Sequence, residues 1–376
     1  MSDKFKMIPD HAVLSQVSIL AEKQDYNHAM MNVPLMWKET RGDGIVVVVI
    51  DTGVPNHLDI DVAQGDSVVL DYKEDLNGHA THCGGIIAAI ANNNMGVAGI
   101  SPNVEDKYIA ALDGNGNGEI IDIAGAIRIA VGSMGADIIS MSLGIPDGYA
   151  AFALLEDACN YAVGQGVAVF AAAGNEYGGV GQPACYDSVI SVAAVDSAMR
   201  HADFSNTGKE LDFAAGGVDV YSTYLNNTYA KLSGTSMACP ALAAVGALIL
   251  AKHKDDGENL TPTELKDHLK RIAYDVGQDG FDELFGHGIP VFGKENDIAE
   301  PVPEEPTEEP EEEIGDSKKG AGPQANCIYW NMWNDFIGTV DSELDNEKDL
   351  QDAINAGIHS LASRTKKFDA LIRRKR

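Results

Sequence analysis

Residues 234–240 read Gly-Thr-Ser-Met-Ala-Cys-Pro, and an apolar run from Ala241 to Ala251 follows them. Ala and Leu favour helix, and Pro240 is tolerated if it falls in the first turn. Ser236 is therefore expected at the N-terminus of a buried helix, where unpaired N–H groups and the helix dipole favour a developing anion. A serine in that place is a helix cap unless a base activates it as a nucleophile. Two other stretches supply candidate partners. Residues 45–53 run Ile-Val-Val-Val-Val-Ile-Asp-Thr-Gly, a strand buried on both faces with Asp51 at its carboxyl end, where catalytic groups gather in parallel sheets. Residues 77–85, Asn-Gly-His-Ala-Thr-His-Cys-Gly-Gly, open a helix of small residues continuing over Ile86 to Ala91. His79 falls at the start of that helix and His82 one turn inside it.

The order Asp, His, Ser is the order of the subtilisin triad, so it matches a known pattern. Asp51-Thr52-Gly53, His79-Ala80-Thr81-His82 and Gly234-Thr235-Ser236-Met237-Ala238 resemble the signatures of the subtilisin-like serine proteases. Ala173-Gly174-Asn175 matches the segment carrying that family's oxyanion-hole asparagine. The resemblance spans roughly residues 30–293. It is closest to the intracellular subtilisins through Asp137-Ile138-Ile139-Ser140-Met141-Ser142-Leu143-Gly144, Asp203-Phe204-Ser205-Asn206 and Lys209-Glu210-Leu211-Asp212.

The resemblance implies a serine endopeptidase. Ser236 is the nucleophile, His79 the base, Asp51 its orienting carboxylate and Asn175 an oxyanion donor; His82 is expected to make a structural hydrogen bond. It implies that Gly116, Asn117 and Gly118 form an exposed edge pairing with the substrate backbone, with Ile120 in an outer pocket. Ser142, Leu143 and Gly144 form the opposite pairing edge and, with Ala172, wall the primary pocket. Gly181 lies at the pocket floor, where a glycine leaves depth for large apolar residues. Asp113 to Glu119 has the look of a calcium loop but lacks the alternation and closing Glu of an EF-hand. Calcium is instead implied elsewhere: Asp59 and the loop from Ala91 to Val97 match the family's tight site, with Ala91, Asn93, Met95 and Val97 as further ligands. An Asn-rich loop taken alone is a turn. In the N-terminal extension, Met7-Ile8-Pro9-Asp10 occupies the place of a segment that blocks the active site of intracellular relatives. Asp10 departs from the aromatic residue of that segment.

Alternating strand and helix patterns predict an α/β fold, a doubly wound parallel sheet with helices on both faces, plus a helical C-terminal extension. Strands are expected at 106–111, 137–143, 166–173, 188–195, 211–214 and 219–223. Helices are expected at 121–134, 153–164 and 261–273, the last opened by Thr261-Pro262-Thr263-Glu264. The organisation expected is an N-terminal extension 1–29, a catalytic domain 30–296, an acidic Pro/Glu-rich linker 297–325 and a helical tail 326–376. Proline and like charges in the linker forbid a core.

The chain has 376 residues and a net charge of −30, which argues against nucleic-acid or anionic-membrane binding by the main body. No stretch approaches the length of a membrane span and no signal peptide is visible, so a cytoplasmic location is expected. The cysteines at 83, 159, 185, 239 and 327 are expected to be reduced thiols. The basic tail end, Arg373-Arg374-Lys375-Arg376, is a solvated helix end or a contact for an acidic partner, nucleic acid, the acidic body or a second copy. Protein or peptide substrates are the partners implied for the main body. The alternative is a non-catalytic subtilase fold acting as a binding or assembly module through its tail. An esterase is a weaker alternative, because no Gly-x-Ser-x-Gly elbow surrounds Ser236.

Overall fold

The structure is a computed structural model that describes residues 4–7 (backbone only), 22–69, 73–150 and 152–294. Ile8 to Asp10, the linker 297–325 and the tail 326–376 with Cys327 lie outside the described residues.

Strand β1 is Lys4–Met7, and helices α1 (Tyr26–Met30) and α2 (Val33–Met36) follow it. The apolar run around Val48 forms β2 (Val46–Asp51), and β3 is Gln64–Ser67. Helix α3 (His79–Ala88) precedes β4 (Glu105–Ala110), β5 (Asn117–Glu119) and α4 (Ile120–Gly132). Then come β6 (Ile138–Met141), β7 (Leu143–Gly144), α5 (Ala153–Gly164), β8 (Ala168–Ala172) and β9 (Ile190–Val195). The last elements of concern are β10 (Phe213–Gly216), β11 (Val220–Tyr224), β12 (Thr228–Leu232), α6 (Thr235–Asp255) and α7 (Pro262–Ile272).

Seven strands form one sheet in the order β10-β9-β8-β6-β2-β4-β3, and every pairing in it is parallel. Helix α6 packs on β6, β8, β9 and β10 and against α3, while α4 and α5 pack on each other. The doubly wound expectation holds. β2, β6, β8 and β9 are buried and mostly apolar because both of their faces are covered.

Two expectations about helices need correcting. α3 stops at Ala88 rather than Ala91, since Ala89 is extended and its N–H closes on the Gly85 carbonyl. α6 starts at Thr235, so Pro240 lies in its second turn and not its first. Proline has no N–H, which frees the carbonyl of Ser236 four residues earlier. That carbonyl accepts instead from the Ser142 hydroxyl at 2.8 Å and the Cys83 thiol at 3.5 Å. α6 is also long and apolar enough to cross a membrane by composition, contrary to the sequence expectation, but 89% of its most apolar window is buried in the fold.

The edge expected to be open at β5 is covered. β1 runs antiparallel between β5 and β7, with Phe5 opposite Gly118, Lys6 opposite both Asn117 and Gly144, and Met7 opposite Leu143.

Candidate active site

Asp51 stands at the carboxyl end of β2 and is fully buried. Its Oδ1 accepts the Thr52 N–H at 2.6 Å and lies 2.7 Å from His79 Nδ1. A carboxylate can only accept, so Nδ1 carries the proton and Nε2 is left with a lone pair. His79 is the first residue of α3, reached through Gly78, whose left-handed φ of 98° suits glycine.

Ser236 is the second residue of α6, where no intrahelical acceptor exists for its N–H. Its Oγ is buried without a hydrogen-bond partner among the described residues. The Cys83 thiol ties the two helices together, lying 3.9 Å from His79 Nδ1 and 3.5 Å from the Ser236 carbonyl. Burial pushes that thiol up to about 11, so it is a protonated packing group and not a second nucleophile.

Asn175 follows β8. Its side-chain oxygen accepts from both the N–H and the hydroxyl of Thr235 at 2.9 Å. Thr235 in turn accepts the Gly174 N–H at 3.1 Å. His82 is not part of this set. Its Nε2 lies 3.1 Å from the carbonyls of Val220 and Ala230, pinning the β11–β12 hairpin, and burial lowers it to about 3.

One residue that the sequence did not single out organises the group. Asp75 is buried, and its Oδ1 accepts from the Thr52 hydroxyl at 2.9 Å, the Asn77 N–H at 3.0 Å and the Gly78 N–H at 2.9 Å. Its Oδ2 accepts the Thr81 N–H at 2.8 Å and hydroxyl at 2.6 Å. Thr52 completes the cap by accepting the Ala80 N–H at 3.1 Å. The end of β2 and the first turn of α3 are thereby locked together, which fixes Asp51 against His79. The signal was present as an acidic residue just before a helix start.

The substrate-side residues fall as follows. Ser142 and Leu143 are buried, and the Ser142 hydroxyl is spent on the Ser236 carbonyl. Ile120, expected in an outer pocket, opens α4 and packs into the main core. Ala172 ends β8. Gly181 donates its N–H to the Ala173 carbonyl, and a Cβ there would come within 2.5 Å of the Ile145 carbonyl, so this position has no room for a side chain. The Asp113 loop is a hydrogen-bonded turn, with Asp113 Oδ1 accepting the N–H groups of Asn115 and Asn117 at 2.9 Å, which agrees with rejecting an EF-hand.

The carboxylate of Asp59 is fully buried and burial raises its pKa. Asn93 Nδ2 donates to its Oδ1 at 2.5 Å; the Val97 N–H and the Tyr229 hydroxyl donate to its Oδ2 at 3.0 and 3.1 Å. Glu22, which the sequence did not point to, accepts the Asn93 N–H at 3.0 Å. Asp59, Asn93 and Glu22 are thus tied to the 91–97 loop, and carboxylate, amide and carbonyl oxygens are the donor types that suit calcium.

A buried aspartate–histidine pair beside a serine at a helix N-terminus, all on a parallel sheet, defines a serine hydrolase of the subtilisin type. The model of the subtilase family matches residues 42–288. Subtilisin DY of Bacillus licheniformis is 42% identical over 257 residues, covering 66% of this chain and 89% of that protein. Subtilisin Savinase of Lederbergia lenta is 38% identical over 251 residues, covering 66% and 89%. The minor extracellular protease Epr of Bacillus subtilis is 38% identical over 287 residues; these make up 74% of this chain but 43% of that protein's length. The chain belongs to the subtilase family, and its class is serine endopeptidase.

Proposed function

We propose that the domain over residues 30–296 hydrolyses peptide bonds with Ser236, His79 and Asp51 as its catalytic triad. The observation that carries this reading is the buried 2.7 Å contact between Asp51 Oδ1 and His79 Nδ1 at the start of α3, the helix whose Cys83 thiol reaches the Ser236 carbonyl on α6. His79 Nε2 takes the Ser236 proton as Oγ attacks the carbonyl, and Asp51 steadies the imidazolium. The Asn175 NH2 group and the Ser236 N–H receive the oxyanion. The substrate pairs as a strand between β5 and β7, and the family resemblance supports a pocket taking large apolar residues before the scissile bond.

Glu22, Asp59 and Asn93, with the carbonyls of Ala91, Met95 and Val97, would hold calcium. The ion would neutralise the buried Asp59 charge and fasten the 91–97 loop, adding stability and no chemistry. Free thiols at Cys83, Cys159, Cys185 and Cys239 fit a cytoplasmic, reducing compartment.

β1 occupies the two edges assigned to substrate, which supports the N-terminal extension as a self-removed block. An intact-mass time course of purified protein with calcium, beside Ser236→Ala, tests both activity and control. Wild type is expected to cleave casein and to lose a short N-terminal piece, while the variant stays whole and inert. Casein cleavage by Ser236→Ala would sink the triad assignment. An unchanged wild-type mass with full casein cleavage would sink self-removal alone.

A further inference from the structure

Away from the active site, the far end of α6 and the middle of α7 bring two imidazoles together. His253 Nε2 lies 3.2 Å from His268 Nδ1, with the ring centroids 5.2 Å apart and the planes at 88°. The other ring nitrogen of His253, Nδ1, lies 2.7 Å from Glu258 Oε2. We propose that His253 and His268 form a binding site for a borderline transition-metal cation such as Zn2+, with Glu258 as the carboxylate that orients His253.

Two features support a metal here over a chance pair. First, the separation suits a chelate. Zinc binds imidazole nitrogen at about 2.0–2.1 Å, and two such bonds at a tetrahedral angle set the nitrogens about 3.3 Å apart. The nitrogens already stand at that separation, and each ring need only turn so that both lone pairs converge on an ion instead of facing each other. Second, the protons are in order. Glu258 can only accept, so His253 carries its proton on Nδ1 and presents a bare Nε2 lone pair toward His268. Metal-bound histidines commonly donate their remote N–H to a carboxylate in this way, which fixes the tautomer and raises basicity. In the metal-free state His268 Nδ1–H donates to that lone pair. On binding, His268 shifts its proton to Nε2, so the ring stays neutral and Nδ1 becomes a ligand.

Water would complete the coordination, since both rings are only partly buried. The site would staple the C-terminal end of α6, whose other end carries Ser236, to α7. It is distinct from the Asp59 loop, whose oxygen donors suit calcium and not zinc.

Zinc uptake by full-length Ser236→Ala protein, which cannot digest itself, tests the proposal. Calorimetry with zinc alone is run with calcium held constant, and melting temperature is followed beside it. His268→Ala and His253→Asn are each expected to lose one equivalent of bound zinc and to lose the zinc-dependent rise in melting temperature. Glu258→Gln is expected to keep the equivalent with about tenfold weaker affinity. Asp51, His79 and Cys83 are another close group of buried ligand types, and zinc held there would survive these substitutions and be counted apart. Equal zinc stoichiometry and equal melting shifts in parent and both histidine variants would overturn the proposal. So would a parent that takes up no zinc.

Discussion

At the scale of single residues, what decides activity is which lone pairs and protons are already committed. Both hydrogen bonds that Thr235 gives to Asn175 land on the amide oxygen, so the amide NH2 is aimed by its partner's demand and not by packing alone. Asn175→Ala should therefore lower kcat for peptide cleavage by about 100- to 1,000-fold with little change in KM, the loss known for removing this donor from a subtilisin. Steady-state kinetics on a chromogenic peptide decide it, and a normal kcat would remove Asn175 from the oxyanion site. Asp51, His79, Asn175 and Ser236 could be proposed from the sequence because each sits inside a short run of residues with its own shape. Asp75 was not, because its meaning lies in five hydrogen bonds that exist only once β2 and α3 have docked. Glu22 was hidden for the same reason. Its partner Asn93 is distant in the chain, and nothing near Glu22 announces that contact.

At the scale of elements, α3 and α6 are positioned by polar caps as much as by apolar faces. α3 has no capping side chain at Gly78, and the work passes to Thr52 and Asp75 on the preceding segments. The Thr52 hydroxyl both donates to Asp75 and accepts from Ala80, so removing it leaves a buried N–H and a buried carboxylate oxygen short of a partner. Thr52→Val, which keeps the shape, should cost about 3 kcal/mol of stability and lower kcat by about tenfold or more. Thr52→Ser should restore most of both. Melting curves and kcat measured on the pair are the check; equal activity in Val and Ser variants would mean that this hydroxyl does not position His79. The elements themselves were largely legible, because runs such as Val46–Ile50 and Ala168–Ala172 are apolar without alternation. Their ends were less so. The Pro240 misplacement came from assuming that proline must open a helix. Here Ser142 and Cys83, both remote in sequence, satisfy the carbonyl that proline leaves free. β1 was unreadable as a strand, since its pairing comes wholly from the β5 and β7 edges.

At the scale of the whole molecule, the parallel sheet was predictable from strand and helix alternation, but the titration of its interior was not. Asp106 on β4 is buried against the Tyr108 hydroxyl, its Oδ1 has no partner among the described residues, and burial pushes it up to about 8. An acid raised from 3.8 to about 8 stabilises the fold while protonated, and that contribution is lost as pH climbs to about 8. Asp25, raised to about 6, acts in the same direction over a lower range. His28 and His268, lowered to about 4, and His82, lowered to about 3, act oppositely, with stability lost as pH falls below 6.5. The buried thiols start from 9.0 and matter only in more alkaline solution. Between about pH 6.5 and about pH 8, Asp106 is thus the one of these groups still changing. Asp106→Asn keeps an acceptor for the Tyr108 hydroxyl and abolishes the ionisation. The variant should gain up to about 2 kcal/mol on wild type across that window, whatever its offset at pH 6.5. Chemical denaturation of Ser236→Ala with and without Asp106→Asn, at both ends of the window, measures the difference directly. A constant offset would mean that Asp106 is already ionised in the fold at the lower end of the window, and that burial does not hold its proton there.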